Sequence, residues 1–323
     1  MKLLVTGGAG FMGSNFIRYL LAKYPDYEIA NLDKLTYAGN LANLADLEDD
    51  PRYSFVKGDI QDSKLLAEIM PQVDAVINYA AETHVDRSIQ APEDFIKTDM
   101  FGTFQLLEAL RNCSNVAKFV QISTDEVYGS LSQGEANESA CFEPNSPYSA
   151  SKAGADLLCR AYYVTYQLPV IVTHSCNFFG PYQYPEKLIP LFITNLLEGK
   201  QAPLYGQGDN IREWIYTQDH CRAIDLVLHQ GRLGEVYNIG TAQRFSNLEI
   251  TQKILAILDL DDSRIEYVVD RPGHDWRYAL DSSKLRKELG FKPSHDFDQG
   301  LEKTINWYKA NQTWWEPLKQ IRD

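Results

Sequence analysis

The sequence predicts an α/β protein: a Rossmann-like parallel sheet covered by helices on both faces, with a smaller mixed α/β C-terminal substrate domain. Three observations carry this. Short strands that are apolar on both faces alternate with helical stretches through residues 1–175, as expected of strands covered on two sides by crossover helices. A glycine run, Gly7-Gly8-Ala9-Gly10-Phe11-Met12-Gly13, separates the first strand from the first helix. Beyond Pro181 and Pro185 the alternation becomes irregular, with no internal repeat and no long polar linker.

The elements follow in order. Lys2–Val5 reads as a strand, Met12–Lys23 as a helix, and Glu28–Leu32 as a second strand ending at Asp33. Tyr53–Lys57 leads into Gly58-Asp59-Ile60, and Ala75–Asn78 into Tyr79-Ala80-Ala81. Phe95–Asn112 is predicted helical, with Leu106, Leu107 and Leu110 on one face. A strand over Phe119–Ile122, a helix over Ser149–Tyr166 and a strand over Val170–Thr173 complete this part. Further helices are expected at Leu188–Leu197, Asp219–Leu228, Asn247–Leu258, Ser283–Leu289 and Asp298–Lys309. Residues 1–175 are read mainly as a dinucleotide domain and 176–323 mainly as a nucleotide-sugar domain, the chain free to cross between them, with a shared cleft.

Composition narrows the function. The 323 residues carry a net charge of −13, a surface that repels nucleic acid unless basic groups cluster, and here they are scattered. No run of 18 apolar residues exists, so no membrane span is expected. Five cysteines without a C-x-x-C pair read as reduced thiols of a cytoplasmic protein. No metal site is expected.

The glycine loop lets backbone approach a pyrophosphate, and the helix it opens offers free N–H groups. Asp33 stands where a carboxylate accepts from an adenosine ribose hydroxyl, which favours NAD over NADP; Lys34 slightly tempers that preference. Asp59 reads either as a neighbour of the adenine or as the cap of a helix starting near Ser63. Tyr148 and Lys152 are i,i+4 neighbours on a helix opened by Pro147. An ammonium beside a phenol is expected to lower its pKa and equip it to take a proton from a sugar hydroxyl. Thr124-Asp125-Glu126 closes the strand before that helix. Two adjacent acids can divide general acid and base work if their environments separate their pKa values. A solvated strand-end turn is the plainer reading of the same residues.

Together these residues make the chain resemble the extended short-chain dehydrogenase/reductases, and more narrowly the dTDP-glucose 4,6-dehydratase family. The resemblance spans the whole length and includes Ala80–Ser88, Ser123–Gly129, Tyr148–Lys152, Gly180–Lys187 and Arg271–Asp275. It implies an NAD-dependent hydro-lyase. Such an enzyme oxidises C4 of dTDP-glucose, expels water across C5 and C6, and reduces C6 with the retained cofactor to give the 4-keto-6-deoxy sugar. It implies Asp125 as acid, Glu126 as base, Thr124 on the C4 oxygen, Tyr148 as the base for its proton, and Lys152 tuning Tyr148 and holding the nicotinamide ribose. Cofactor contacts implied are Gly7, Gly10, Phe11, Met12, Gly13, Asp33, Lys34, Thr36, Asp59, Ile60, Ala80 and Ala81. Substrate contacts implied are His84, Asn177, Glu186, Lys187, Tyr205, Arg212, Asn247, Arg271 and His274, and the assembly implied is a homodimer. For that dimer, Phe101, Phe104, Leu107, Leu158, Tyr162 and Tyr163 are the expected interface side chains. The chain departs from the family pattern at Asp99, His174, Phe178, Phe179 and Trp276. A 4-epimerase, or a dehydratase of UDP- or CDP-glucose, is the alternative.

Overall fold

A computed structural model describes residues 1–270 and 273–320. The strands are β1 (Lys2–Thr6), β2 (Glu28–Asp33), β3 (Tyr53–Lys57), β4 (Ala75–Asn78), β5 (Lys118–Thr124), β6 (Val170–Ser175), β7 (Asn177–Phe179), β8 (Ala202–Tyr205), β9 (Ile211–Tyr216), β10 (Val236–Ile239), β11 (Arg244–Ser246) and β12 (Ile265–Val268). The helices are α1 (Phe11–Lys23), α2 (Ser63–Ile69), α3 (Val85–Gln90), α4 (Pro92–Phe95), α5 (Thr103–Arg111), α6 (Pro147–Tyr166), α7 (Leu188–Leu197), α8 (Thr217–Gln230), α9 (Asn247–Ile257), α10 (Ser283–Leu289), α11 (Phe297–Ala310) and α12 (Gln312–Gln320).

Seven parallel strands form the main sheet in the order β10-β6-β5-β4-β1-β2-β3. Side chains alternate across it with period two. Leu3, Val5, Ile77, Val120 and Ile171 face Phe16, Ile17, Ile224 and Val227 of α1 and α8. Leu4, Leu32, Val76, Phe119 and Val172 face Leu106, Leu107 and Cys159 of α5 and α6. Both faces are thus dry, which is why the strands read as continuous apolar runs.

The smaller part holds a three-stranded sheet (β11-β9-β7) and the pair β12-β8. Around them α7, α9 and α11 bury Phe192, Ile193, Ile254, Leu301 and Tyr308. The chain does not stay there. After β9 it sends α8, β10 and α10 back to the first sheet, with Val236–Ile239 pairing in register with Val172–Ser175.

Local chemistry sets the helix ends that matter. Ser146 caps α6, accepting from Ser149 N at 3.0 Å, and Pro147 occupies its first turn. The regular helix expected over Phe95–Asn112 is interrupted: Ile96–Gly102 is a π-helical segment between α4 and α5. Asp99, within it, is buried, accepting from Ser151 Oγ (2.6 Å) and Glu82 N (3.0 Å). A Cβ on Gly102 would lie 2.4 Å from Ile60 Cδ1, so glycine permits this close approach.

Candidate active site

A cavity of about 320 Å³ opens at the C-terminal ends of the main-sheet strands. One wall is the glycine loop. Gly7 has φ +66°, and a Cβ there would lie 2.6 Å from Ala80 N; a Cβ on Gly13 would lie 2.4 Å from Gly7 O. Gly10 caps α1 without a side-chain bond, and Gly7, Gly10, Phe11, Met12 and Gly13 all line the cavity. A helix N-terminus beside glycine backbone fits a pyrophosphate.

The next stretch of wall holds Asp33, Lys34, Thr36, Asp59, Ile60, Ala80 and Ala81. Asp33 is fixed by Ala9 N (2.9 Å) and Leu35 N (2.8 Å). Burial raises its pKa, and those two N–H bonds oppose the rise. Lys34 Nζ pairs with Asp59 at 2.7 Å. Helix α2 is capped by Asp62, leaving Asp59 to a turn bond from Gln61 N and to the cavity. The cap reading of Asp59 is therefore corrected.

At the far end β5 delivers Thr124, whose Oγ1 accepts from Glu126 N at 3.2 Å and lies 3.3 Å from Asp125 Oδ1. Asp125 and Glu126 begin a short 3-10 turn, Asp125–Tyr128, and both line the cavity with Tyr148 and Lys152. The solvated-turn reading fails, because Asp125 is only 3% exposed. Burial, then Glu126 and Glu213, drive its pKa well above the usual carboxylate range; Arg212 and the Thr124 bond oppose this. Its Oδ2 is buried with no hydrogen-bond partner among the described residues. Glu213, fully buried, is held by Thr241 N (2.8 Å), Ala242 N (2.9 Å) and Arg244 Nε (2.9 Å).

One expectation is corrected here. The phenol of Tyr148 is raised, not lowered: burial leads, followed by Glu126 and Asp99, against a Thr124 hydrogen bond. Lys152 instead donates to Ile122 O at 2.7 Å. Burial, with the carboxylates Glu126, Asp99 and Asp125, outweighs that hydrogen bond.

Of the expected substrate residues, Asn177, Glu186 and Lys187 line the cavity. His84 stands at its rim, capping α3, with Nε2 3.8 Å from Glu186 Oε2. Arg212 and Asn247 belong to an adjoining cluster. Arg212, buried, donates Nη2 to Asp275 O (2.9 Å) and stacks 4.3 Å above the Tyr278 ring. Asn247 is buried at the start of α9, its Oδ1 without a partner among the described residues. Tyr205 and His274 face each other edge-on at 6.1 Å. Arg271 lies outside the described residues.

Sequence reasoning missed Glu82, Thr83, Thr98, Gln183, Tyr184 and Trp214, all lining the cavity. Glu82 had a signal, since it directly follows Ala80-Ala81 beyond β4. Burial, with Asp99 and Asp94, lifts it to about 7. The departures are also placed. His174 is buried between Tyr128 Oη (2.6 Å) and Asp156 Oδ2 (3.1 Å). Phe178 lines the cavity, Phe179 packs on Phe297 in the smaller core, and the Trp276 side chain is exposed.

A dinucleotide cradle at the strand ends, crossed by a helix carrying Tyr148 and Lys152 one turn apart, defines an extended short-chain dehydrogenase/reductase. Comparison with known proteins narrows the class. The family profile described as GDP-mannose 4,6 dehydratase matches residues 4–304. A dTDP-glucose 4,6-dehydratase of Streptomyces niveus is 50% identical, covering 99% of this chain and 96% of the relative. The crystal structure of DesIV, a dTDP-glucose 4,6-dehydratase from Streptomyces venezuelae with NAD bound, is 54% identical. It superposes with a TM-score of 0.96 over 98% of this chain and 100% of that one. That of the Bacillus anthracis dTDP-glucose 4,6-dehydratase in complex with NAD is 51% identical (TM-score 0.92, 98% and 99% covered). The chain belongs to the dTDP-glucose 4,6-dehydratase family of NAD-dependent lyases.

Proposed function

We propose that the chain converts dTDP-glucose to its 4-keto-6-deoxy product, with the labour divided among the residues around Thr124. The observation that carries this is the buried Asp125, beside Glu126 and opposite Tyr148. NAD, when bound, accepts hydride from C4 and returns it at C6. The glycine loop and the α1 N-terminus fit its pyrophosphate, and Asp33 its ribose. Tyr148 takes the C4 hydroxyl proton, and Thr124 orients that oxygen. Lys152 would hold the nicotinamide ribose, and it steadies the end of β5 through Ile122 O. Glu126 removes the C5 proton once the C4 ketone acidifies it. Asp125, whose burial favours its protonated form, gives its proton to the departing C6 hydroxyl. A 4-epimerase would leave both acids idle.

Asn177, Glu186 and Lys187 fit the sugar and diphosphate. Arg212, Asn247, Tyr205, His274 and His84 fit the outer nucleotide, and Arg271 is assigned with them. Residues 1–175 serve mainly the cofactor and 176–323 mainly the nucleotide sugar.

A homodimer is supported by apolar side chains left in solvent near the α6 face: Ile96, Phe101, Leu157, Val164 and Tyr166 are each more than 40% exposed. Leu107 and Tyr162, expected there, are instead buried in the protomer's own core. Among the described residues no helix is long and apolar enough to cross a membrane. All five cysteines are free thiols, which supports a cytoplasmic setting.

The test is dTDP-glucose deuterated at C4. The label should reach C6 of the product without added NAD; label lost to exogenous NAD overturns the cycle. UDP- and CDP-glucose run alongside read the base preference.

A further inference from the structure

Three segments distant in sequence meet at the cavity rim. The first follows β2 and contributes Thr36, Ala38 and Gly39 to the lining; the second follows β4; the third precedes α7. Tyr37, between Thr36 and Ala38, joins the first to the third. Its hydroxyl donates to Glu186 Oε1 at 2.8 Å. Arg87 joins the second to both. Its guanidinium lies 3.5 Å from the centre of the Tyr37 ring, and its Nε 3.7 Å from Glu186 Oε2. Lys187 Nζ closes the second and third segments by donating to Thr83 O at 2.6 Å.

We infer that Tyr37 and Arg87, through Glu186, form a clasp that retains NAD between the half-reactions, an inference resting on the retained-cofactor reading above. The ribose-side loop is the flank of the cradle that must swing outward for a dinucleotide to leave. Its own anchors lie at its ends: Asp33 holds Leu35 N, Gly39 N bonds back to Thr36 O, and Asn40 N bonds to Ala9 O of the glycine loop. The Tyr37–Glu186 bond ties it to the substrate lobe, and the Arg87 cation covers that bond from the second segment. The tie has a chemical purpose. The cofactor leaves the first step reduced, and release at that point would strand a 4-keto sugar that could not be reduced at C6. Tyr37 and Arg87 are positioning residues, acting through Glu186 and the loop.

The test uses the holoenzyme with radiolabelled NAD, chased by excess unlabelled NAD. Tyr37→Phe keeps the ring under Arg87 and removes only the hydroxyl; Arg87→Gln removes the cation. Tyr37→Phe deletes the hydrogen bond to the Glu186 carboxyl group, so NAD release should quicken about tenfold or more in that variant. The kcat with saturating added NAD should stay within about twofold, and unreduced 4-keto sugar should appear among the products. A merely structural role would lower kcat and melting temperature without selectively raising the release rate, and would overturn the inference. Slow release by wild type and equally slow release by both variants overturns the clasp alone. Wild type that sheds NAD as fast as the variants overturns the clasp and the retained-cofactor reading together.

Discussion

Replacing Asp125 with asparagine separates the steps of the reaction. The side chain is 3% exposed, and burial, with Glu126 and Glu213, pushes its carboxyl well above the usual carboxylate range, which favours the protonated form an acid needs. An amide of the same shape therefore mimics the protonated form assigned to the acid. Because Oδ2 has no hydrogen-bond partner among the described residues, few bonds are at stake. Folding stability should change by less than about 1 kcal/mol. The chemistry should change far more, since the amide has no proton to give the leaving hydroxyl. Losing a general acid costs about 10²–10⁴ in rate, or about 2.7–5.4 kcal/mol at 1.36 per tenfold. C4 oxidation, which relies on Tyr148, should continue. Rapid-quench analysis with dTDP-glucose should then show 4-ketoglucose nucleotide and NADH absorbance accumulating together. Product formed at the wild-type rate would refute the assignment. C4 oxidation slowed as much as water loss would move Asp125 to the first step. A large fall in melting temperature would show an ionised, bonded carboxylate instead of a protonated one.

Two further outcomes test the electrostatics. Asp99, raised to about 6 by burial against Lys152, Ser151 and the Glu82 N–H, is ionised above that pH and helps hold Tyr148 up. Asp99→Asn should therefore move the Tyr148 limb of the kcat–pH profile to lower pH, and an unmoved limb would count against the coupling. Asp225 ties α8 to α1 through Tyr19 and Tyr24, with ion pairs to Lys23 and His229. Burial works against its charge, but the bonds from His229, Lys23 and Tyr24 prevail and bring it to about 2. A depressed carboxylate stabilises above its unfolded value, near 3.8, and that share is lost as pH falls through about 2. Asp225→Asn should thus cost about 2 kcal/mol near pH 7, and the gap from wild type should close on acidification, as followed by thermal melts.

The cradle was legible because its chemistry is local: glycines, helix start and Asp33 lie within one strand–helix–strand unit. Pro147, Tyr148 and Lys152 share one helix and were legible for the same reason. What was hidden depends on partners far along the chain. Asp99 was readable as a departure, but its inward turn needs a π-helical segment packed on Ser151, which apolar periodicity does not encode. Arg212 was named only through the family resemblance; its burial against the Tyr278 ring and the Asp275 carbonyl depends on residues far along the chain. The direction of the Tyr148 shift was misjudged because one ammonium was counted, whereas burial leads and Glu126, Asp99 and Asp125 add to it. Tyr37 gave no signal at all; its partner Glu186 is 149 residues away.

The position of β10 has a consequence for how the chain is made. Strands β1 to β6 emerge from the ribosome in a continuous run, yet the last seat in their sheet is filled by Val236–Ile239. Until those residues appear, β6 presents an unpaired, apolar edge, of the sort that recruits strands from other chains. The substrate lobe is threaded through that interval, with β7, β8 and β9 emerging before β10. The nascent protein must therefore shelter an open edge while the second lobe is still being laid down. A cut near residue 175 would leave that edge permanently bare. The two lobes are for this reason not interchangeable cassettes: the fold that holds the dinucleotide is finished only by chain that has already passed through the sugar's side.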